Sequence, residues 1–313
     1  MAREAQQALA ARFRALHQGP HILVIGSVWD IPSAILFERA GFQALGTSSA
    51  GVAFSEGYPD GERIPRDAML KAVARVVKSV RIPVSADLES GFGAAPQEVA
   101  DTCSQLLATG VVGVNLEDAT AASVAAGGLL ELSHQVAKIR AVRSAARDFG
   151  VDLFINARTD TYWLLHGWDA QTLRAETIRR GKAYLEAGAD GVFVPGVLAQ
   201  GDIAALVKAL DAPLNVLAIP GCPPVGTLAR LGVRRVSQGS GPARACLALA
   251  QDIAHALLKE GNYEVFQRSA IPYSEANAIF DQASAVLAAG WMGADTSLVS
   301  SRPSPVVRPT DAT

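Results

Sequence analysis

The sequence predicts an α/β protein, a (β/α)8 or TIM barrel in which eight parallel strands alternate with helices. Short apolar runs recur along the chain, and stretches with helical periodicity separate them. Several of these runs follow a glycine that ends the preceding helix, which is the order typical of βα repeats. The runs number eight, and no Gly-rich dinucleotide fingerprint follows the first. These observations favour a barrel over an open doubly wound sheet.

The elements can be placed in order from these signals. The predicted strands begin near His21, Phe42, Pro83, Val111, Val151, Gly191, Pro213 and Val233. The predicted helices cover residues 2–17, 31–41, 67–81, 96–109, 131–149, 170–187, 200–210, 223–231 and 242–259. Ala-Gly-Phe, Thr-Gly-Val, Ala-Gly-Ala and Leu-Gly-Val each lead from a helix into a strand, with the glycine as the helix cap. Residues 51–65, rich in Gly and Pro, are predicted as a long loop.

The chain divides into three parts. Residues 1–260 form the predicted barrel with its N-terminal helix, residues 261–296 a C-terminal helical extension, and residues 297–313 a Ser- and Pro-rich tail that is expected to be disordered. The extension carries apolar residues that need a surface to cover them. They are Tyr263, Phe266, Tyr273, Ile279, Phe280, Val286, Leu287 and Trp291.

Composition narrows the class of protein. Half of the 313 residues are hydrophobic and 19% are charged, which is typical of a globular protein with a sizeable core. The net charge of −2 provides no bulk field for nucleic acid or an anionic membrane. No apolar run reaches the length of a membrane span. The three cysteines lack metal-site spacing, so reduced thiols in a cytoplasmic protein are expected.

The most informative stretch is PVSADLESGFG, residues 83–93. Apolar and small residues lead into Asp87, Glu89 follows two positions later, and a Gly-Phe-Gly turn ends the strand. Side chains on a strand alternate, so Asp87 and Glu89 are predicted to share one face. Two carboxylates on one face repel each other unless a cation lies between them or one is protonated.

Polar residues follow several other predicted strands, at the carboxyl ends where barrel enzymes carry their chemistry. The residues at these ends are Asp30, Thr47, Ser48, Ser49, Ala50, Asp60, Asn115, Glu117, Asp118, Asn156, Arg158, Asp160 and Asn215. A single polar residue at such a position is commonplace. Four successive strand ends of this kind predict one convergent site.

The residue types suggest the chemistry of this site. Its candidate metal ligands all carry oxygen, which suits Mg²⁺ or Mn²⁺; they are Asp60, Asp87, Glu89 and Glu117. Arg158 offers a planar fork to a carboxylate or phosphonate. Ser48, Ser49 and Ala50 offer hydroxyl and backbone N–H groups to an anion. The set predicts a site for a small dianionic acid whose enolate oxygen the metal holds.

With these residues in place, the sequence resembles the isocitrate lyase / phosphoenolpyruvate mutase superfamily. The matching motifs, in order, are GTSSAGVAFSEGYPDG, PVSADLESGFG, GVNLED, NARTD and PLNVLA. The resemblance implies a barrel, Mg²⁺ or Mn²⁺, and a 2-oxoacid or its enolate as substrate or intermediate. It also implies a helix exchanged between subunits of a dimer that builds a tetramer.

The resemblance assigns roles residue by residue. It implies Asp87 as the direct metal ligand, with Asp60, Glu89 and Glu117 acting mainly through water. It implies a cradle for the acid at Ser48, Ser49 and Ala50, an anion clamp at Arg158, and a substrate-side position at Asn215. The candidate catalytic residues are Arg158, Glu117 and Asp60.

The sequence departs from the superfamily in two places. The loop after the fourth predicted strand, residues 118–130 and hereafter the lid, reads DATAASVAAGGLL. It has neither the Cys-containing motif of the lyases nor the Lys and Asn of the phosphonomutases. Gly46 stands where several relatives place an aromatic residue. The lid is therefore expected to exclude water, and acid/base work to fall to a metal-bound water or a rim carboxylate.

Three functions remain open at the level of sequence. The first is a metal-dependent lyase of the C–C bond beside the carboxylate of a 2-oxoacid or 2-hydroxyacid, decarboxylation included. The second is a phosphonomutase or phosphonate-cleaving enzyme that acts on a P–C bond. The third is a metabolite-binding relative without catalysis. The expected partners are a small dianionic substrate and further copies of the chain, with no nucleic acid and no membrane.

Overall fold

The structure of the chain is a computed structural model that describes residues 2–290, without the side chains of residues 268–269 and 285–290. Its strands are β1 Leu23–Val24, β2 Gly26–Val28, β3 Leu45–Thr47, β4 Val84–Asp87, β5 Gly113–Glu117, β6 Phe154–Arg158, β7 Gly191–Val194, β8 Leu214–Leu217 and β9 Arg235–Ser237. Each predicted strand is present, and it begins at or shortly after its predicted position.

Helices alternate with these strands. They are α1 Arg3–Gln18, α2 Ile31–Arg39, α3 Ser49–Ser55, α4 Arg66–Lys78, α5 Pro96–Ala108, α6 Ala121–Ala125, α7 Leu132–Phe149, α8 Thr161–Leu164, α9 Ala170–Glu186, α10 Gln200–Leu210, α11 Val225–Arg230, α12 Gly241–His255, α13 Glu264–Ser269 and α14 Tyr273–Gly290. A π-helical turn, Ala256–Glu260, continues α12. None of the helices within residues 2–290 is long and apolar enough to cross a bilayer.

All strand pairs are parallel, in the order β1-β9-β8-β7-β6-β5-β4-β3-β2. β1 and β2 are two halves of one barrel strand, separated at Ile25. The first half pairs with β9 and the second with β3, so this strand joins the two edges of the sheet. The (β/α)8 barrel is thereby confirmed.

Helix caps set the entry into several strands. Gly41, Gly110, Gly188 and Gly232 have φ of 98°, 102°, 107° and 90°, in the left-handed region that a residue with a Cβ adopts only at a cost. These are the glycines of the four predicted helix-to-strand signatures. The glycine that marks each of these helix ends in the sequence is therefore also the residue that lets the chain turn from the helix into the next strand.

Helix α1 closes the amino-terminal end of the barrel. Gln6 donates from Nε2 to the carbonyls of Leu107 and Val111, at 2.9 and 2.8 Å. Phe13 is fully buried and meets Phe154 edge to face, at 5.6 Å between ring centroids. This plug fills one end of the barrel, so a small molecule reaches the interior from the opposite, carboxyl end of the strands.

Three short helices lie in regions predicted as loops. α3 lies largely within the predicted loop 51–65, α6 lies in the lid, and α8 follows β6. Each has seven residues or fewer, too short for apolar periodicity to reveal it. The predicted extension is two helices, α13 and α14. Residue 291 onward, with Trp291, the end of the 261–296 extension and the 297–313 tail, lies outside the described residues.

Candidate functional site

Asp87 ends β4 and is held by residues of β3, α3 and β5. Its Oδ2 accepts hydrogen bonds from the backbone N–H of Ser49, at 3.2 Å, and from the Ser49 hydroxyl, at 2.9 Å. Its own backbone N–H donates to Oγ1 of Thr47, at 3.0 Å. Asn115 Nδ2 lies 3.5 Å from the other carboxylate oxygen, Oδ1. These contacts fix the direction in which Asp87 presents its carboxylate.

Glu89 approaches Asp87 for a different reason from the one predicted. The strand ends at Asp87, and Glu89 has φ of 51°, so the alternation of a strand does not reach it. A left-handed turn aims its side chain instead. Glu62, also left-handed with φ of 57°, donates its backbone N–H to Glu89 Oε2 at 2.6 Å. Such strain persists where surrounding contacts impose it, and it is common at functional sites.

Contacts from two other elements hold this turn. The Glu62 carboxylate accepts from the Ser90 hydroxyl at 2.7 Å and from the backbone N–H of Phe92 at 2.8 Å. Lys138, buried on α7, donates to the carbonyl of Ser90 at 3.0 Å. Neither Glu62 nor Lys138 is among the site residues predicted from the sequence. Glu62 follows the predicted Asp60 by two residues, whereas Lys138 lies on a helix with no local signal.

Arg158 joins two carboxylates at the end of β6. Its Nη1 lies 2.6 Å from Glu117 Oε2, and its Nε and Nη2 donate to the two oxygens of Asp160, at 2.7 and 2.9 Å. Burial opposes the charge on Arg158, but Glu117 and Asp160 outweigh it and raise the Arg158 pKa. A guanidinium has five N–H groups, so two remain for a ligand.

The carboxylates near Arg158 and Asp87 disfavour one another's negative charge. Burial, followed by the charge of Asp87, raises the pKa of Asp60. Burial, Asp87 and Asp60 together raise the pKa of Glu89 to about 8. Burial also raises the pKa of Glu117 well above its usual range, although Arg158 opposes the rise. The rim thus gathers more carboxylates than it has cations to balance them.

An amide layer lies beneath the acids. Asn156 donates from Nδ2 to Asn115 Oδ1 at 2.9 Å, and Arg235 donates from Nη2 to the same oxygen at 3.3 Å. Arg235 is 1% exposed, and burial lowers its pKa to about 10 while Asp87 partly restores it. Sequence reasoning placed Asn115 and Asn156 at the strand ends. It missed Arg235, because nothing in VRRVS tells which arginine faces inward.

The remaining predicted residues are placed as follows. Ser48 is the N-cap of α3, and its hydroxyl accepts from the backbone N–H of Gly51 at 3.2 Å. Ala50 is buried in the first turn of that helix. Asn215 is buried in the barrel interior, and its side chain lies 3.4 Å from the Ser237 hydroxyl on β9. The structure therefore brings Ser49, Asp87 and the acids together, while the side chain of Asn215 contacts Ser237 instead.

The lid follows β5, which ends at Glu117, and is mostly exposed between its own ends. Thr120 and Ser123 cap α6 reciprocally, with Ser123 N–H donating to Thr120 Oγ1 at 3.0 Å and Thr120 N–H to Ser123 Oγ at 2.9 Å. Val124 is 47% exposed. A Cβ added at Gly127 or Gly128 would meet no atom within 4 Å. The middle of the lid therefore has room to move.

One atom tests whether these residues fit a cation. Glu89 Oε1 is buried without a hydrogen-bond partner, beside carboxylates that raise one another's pKa. A positive charge would satisfy that oxygen and relieve the repulsion. Within residues 2–290, no three His, Cys, Asp or Glu side chains converge tightly enough to complete a metal site alone. The donor set suits a hard cation that keeps several waters.

Comparison with known proteins agrees with the fold and the motifs. The family model described as phosphoenolpyruvate phosphomutase matches residues 13–258. An uncharacterized protein of Mycobacterium tuberculosis (strain ATCC 25618 / H37Rv) is 38% identical over 266 residues, 85% of this chain and 95% of that protein. The 2-methylisocitrate lyase of Bacillus subtilis (strain 168) is 30% identical and covers 67% of each chain. An oxaloacetate decarboxylase of Bradyrhizobium sp. (strain BTAi1 / ATCC BAA-1182) is 28% identical, covering 85% of this chain and 90% of that enzyme.

A solved structure supports the same assignment. A crystal structure from Burkholderia cenocepacia J2315, provisionally assigned as a lyase/mutase, is 40% identical to this chain. It covers 88% of this chain and 97% of its own, with a TM-score of 0.81. The chain therefore belongs to the phosphoenolpyruvate phosphomutase family, within the phosphoenolpyruvate mutase / isocitrate lyase superfamily.

Proposed function

We propose that this chain is an Mg²⁺- or Mn²⁺-dependent lyase that cleaves a C–C bond of a small 2-oxoacid or 2-hydroxyacid, decarboxylation included. The observation that carries the proposal is the excess of carboxylates around Asp87, with one oxygen of Glu89 buried and unpaired. A site so negative repels an anionic acid until a cation is bound. Relatives named 2-methylisocitrate lyase and oxaloacetate decarboxylase support C–C cleavage.

The residues present fit such a cation. Asp87 would hold it directly, because Ser49 already fixes the orientation of that carboxylate. Glu89, Asp60 and Glu117 would hold it through water. When bound, the cation supplies positive charge to the oxygen that becomes an enolate.

The protein's own groups orient the substrate and exclude water. Arg158 presents two remaining N–H groups to an anionic end of the acid, while Glu117 and Asp160 hold its plane. The lid closes over the rim. A decarboxylation leaves a pyruvate-type enolate that takes up one proton. The lid sequence has no thiol, amine or imidazole, so we assign the proton transfer to the rim carboxylates Asp60 and Glu117.

The second candidate is a phosphonomutase or phosphonate-cleaving enzyme. The description of the matching family model, phosphoenolpyruvate phosphomutase, favours it. A phosphonate carries the same charge as a carboxylate or one more, so Arg158 and the cation would serve it equally well. The site's charge alone does not separate P–C from C–C chemistry.

A panel of substrates tests the proposal. The purified chain is assayed with Mg²⁺ and with Mn²⁺ against oxaloacetate, 2-methylisocitrate and phosphonopyruvate. We expect metal-dependent turnover of a carbon acid, which EDTA abolishes. Turnover of phosphonopyruvate alone would establish the second candidate. Metal binding without turnover of any member would indicate a metabolite-binding relative.

A further inference from the structure

Asp118, the residue directly after Glu117, is a fully buried carboxylate that the proposed reaction does not use. Its Oδ2 accepts from the Tyr184 hydroxyl at 2.7 Å, from the Thr159 hydroxyl at 2.8 Å and from Arg180 Nη1 at 3.2 Å. Its Oδ1 accepts from the backbone N–H of Asp160 at 3.0 Å. So many donors on one buried carboxylate hold it in a single position.

The same group joins the two ends of the lid. The backbone N–H of Leu130, at one end, donates to the carbonyl of Asp118, at the other end, at 2.8 Å. Arg180 Nη1 donates to the carbonyl of Leu130 at 3.0 Å. Arg180 and Tyr184 both lie on α9, so one helix fixes both ends. The segment between the two ends is therefore the part of the lid that these contacts do not hold.

The group also reaches the substrate-facing arginine. Asp160, whose backbone N–H donates to Asp118, is the residue whose carboxylate accepts from Nε and Nη2 of Arg158. The backbone N–H of Asp118 donates in turn to the carbonyl of Arg158, at 3.2 Å. A shift of Asp118 would therefore move Asp160, which holds Arg158, and the two ends of the lid at the same time.

We propose that Asp118 and Arg180 are positioning residues that tie the two ends of the lid to the end of β6, which carries Arg158. The position of the lid and the orientation of the Arg158 guanidinium are thereby coupled. Arg180 is the key member, because among the described residues of α9 it alone donates hydrogen bonds to both Asp118 and Leu130. Its role in catalysis rests on the proposed function, whereas its structural role does not.

The chain offers a matched control. Arg179 and Arg180 are neighbours on α9, and both pair with Glu176, with Nε to carboxylate distances of 2.7 Å in each case. Arg179 is largely exposed, and its described bonds run to Glu176 only, away from the lid. Arg179→Met therefore removes an arginine that lies on the same helix and pairs with the same acid, and it leaves the bonds from Arg180 to Asp118 and Leu130 in place.

Hydrogen exchange measured by mass spectrometry tests the structural claim without any assay of activity. Short peptides covering residues 128–132 and 158–162 report the amides of Leu130 and Asp160. In Arg180→Met we expect both to exchange at least tenfold faster than in the wild type, while peptides from α5 keep their rates. Arg179→Met should leave both within twofold. Tyr184→Phe, which removes one donor and leaves the charge pair, should accelerate both by a smaller factor and serves if Arg180→Met fails to fold.

Each outcome decides the proposal. Unchanged exchange at both amides in a folded Arg180→Met would overturn it. Acceleration at Leu130 alone would also overturn it, because the lid would then be independent of Arg158. If the chain turns over a substrate from the panel, Arg180→Met should raise KM at least tenfold and leave the Kd for Mn²⁺ within twofold. Absence of turnover would refute the proposed function and leave the exchange result standing.

Discussion

Ser49 donates two hydrogen bonds to one oxygen of Asp87, from its backbone N–H at 3.2 Å and from its hydroxyl at 2.9 Å. One side of the carboxylate is therefore committed to the protein, and the direction of the other is set. A preoriented carboxylate loses less conformational freedom when it takes up a cation. The relationship makes Asp87 the residue on which metal affinity depends most.

The first prediction concerns that affinity. Asp87→Ala should weaken the binding of Mg²⁺ and Mn²⁺ more than tenfold, about 1.4 kcal/mol, because the direct ligand is gone. Isothermal titration calorimetry measures it. Asp67→Asn, which removes an acid whose side chain is 72% exposed, is the control for net charge and should bind as the wild type does. Equal affinity in Asp87→Ala and the wild type would refute the ligand assignment.

The second prediction concerns acid stability. Burial, with the charge of Arg235, lowers the pKa of His17 from 6.5 to about 3. Between these two pH values His17 is neutral in the folded chain, whereas in the unfolded chain it binds a proton. The free energy of unfolding should therefore fall as pH falls from 6.5 toward 3, by about 1.4 kcal/mol per pH unit from this residue. Urea unfolding at pH 7, 6 and 5 measures the slope.

His17→Phe should lack this component of the slope, because a phenyl ring keeps the stacking against Phe154, at 3.9 Å between centroids, without a proton to bind. His255→Gln, on the exposed face of α12, should keep it. The same pH dependence in His17→Phe and in the wild type would show that His17 does not titrate in this range.

The third prediction concerns the plug helix. A Cβ added at Gly113 would lie 2.6 Å from Phe13 and 2.9 Å from the Ser85 hydroxyl, so α1 or β5 would have to shift. Gly113→Ala should cost about 1–3 kcal/mol of unfolding free energy, as overpacking does. A Cβ at Gly201 on α10 meets nothing within 4 Å, so Gly201→Ala should stabilise by up to about 1 kcal/mol. Chemical denaturation that ranked the two variants the other way would contradict this packing.

Local signals predicted most of the fold, whereas distant contacts complete the site. Strands and helix caps were predictable because apolar runs and glycines act on their immediate neighbours. Asp87, Glu117 and Arg158 were predictable because the ends of parallel strands meet on one rim. Glu89 was placed there for the wrong reason, since a left-handed turn held by Glu62 aims it.

The remaining contacts depend on residues far apart in the chain. Arg180 and Tyr184 meet Asp118 across 62 and 66 positions, and Arg235 meets Asn115 across 120. No local pattern marks such pairs, because the burial of each side chain and the identity of its neighbours are set only when the barrel closes. The short helices α3, α6 and α8 were missed for a related reason. Each is too short for apolar periodicity to mark it, and a side-chain cap is present only at α3 and α6.

The fourth prediction concerns assembly. Helix α12 follows the last strand, yet among its residues only Ala243 is buried. Leu247 is 52% exposed on it, and Leu258 in the turn that continues it is 86% exposed. Exposed apolar residues so close together are typical of an interface between proteins. We therefore expect a dimer or tetramer whose interface includes α12 and the turn that continues it. Light scattering at micromolar concentration measures the mass. Leu247→Lys combined with Leu258→Lys should lower it, whereas Val124→Lys in the lid should not. A monomeric wild type would contradict the prediction.

The last prediction compares the lid with Arg158. Ser123 uses its hydroxyl to cap α6 with Thr120, so Ser123→Ala removes a cap and no chemistry. We expect kcat/KM to fall less than tenfold, under about 1.4 kcal/mol of barrier. Arg158→Ala leaves Glu117 and Asp160 without their cation and a substrate anion unpaired, so its loss should be far larger. Arg158→Lys, which keeps the charge without the fork, should recover only part of it. Steady-state kinetics on the substrate that the panel identifies, with thermal unfolding to confirm that each variant is folded, makes the comparison. If Ser123→Ala proved as damaging as Arg158→Ala, the lid would contribute to the reaction directly and not only by excluding water.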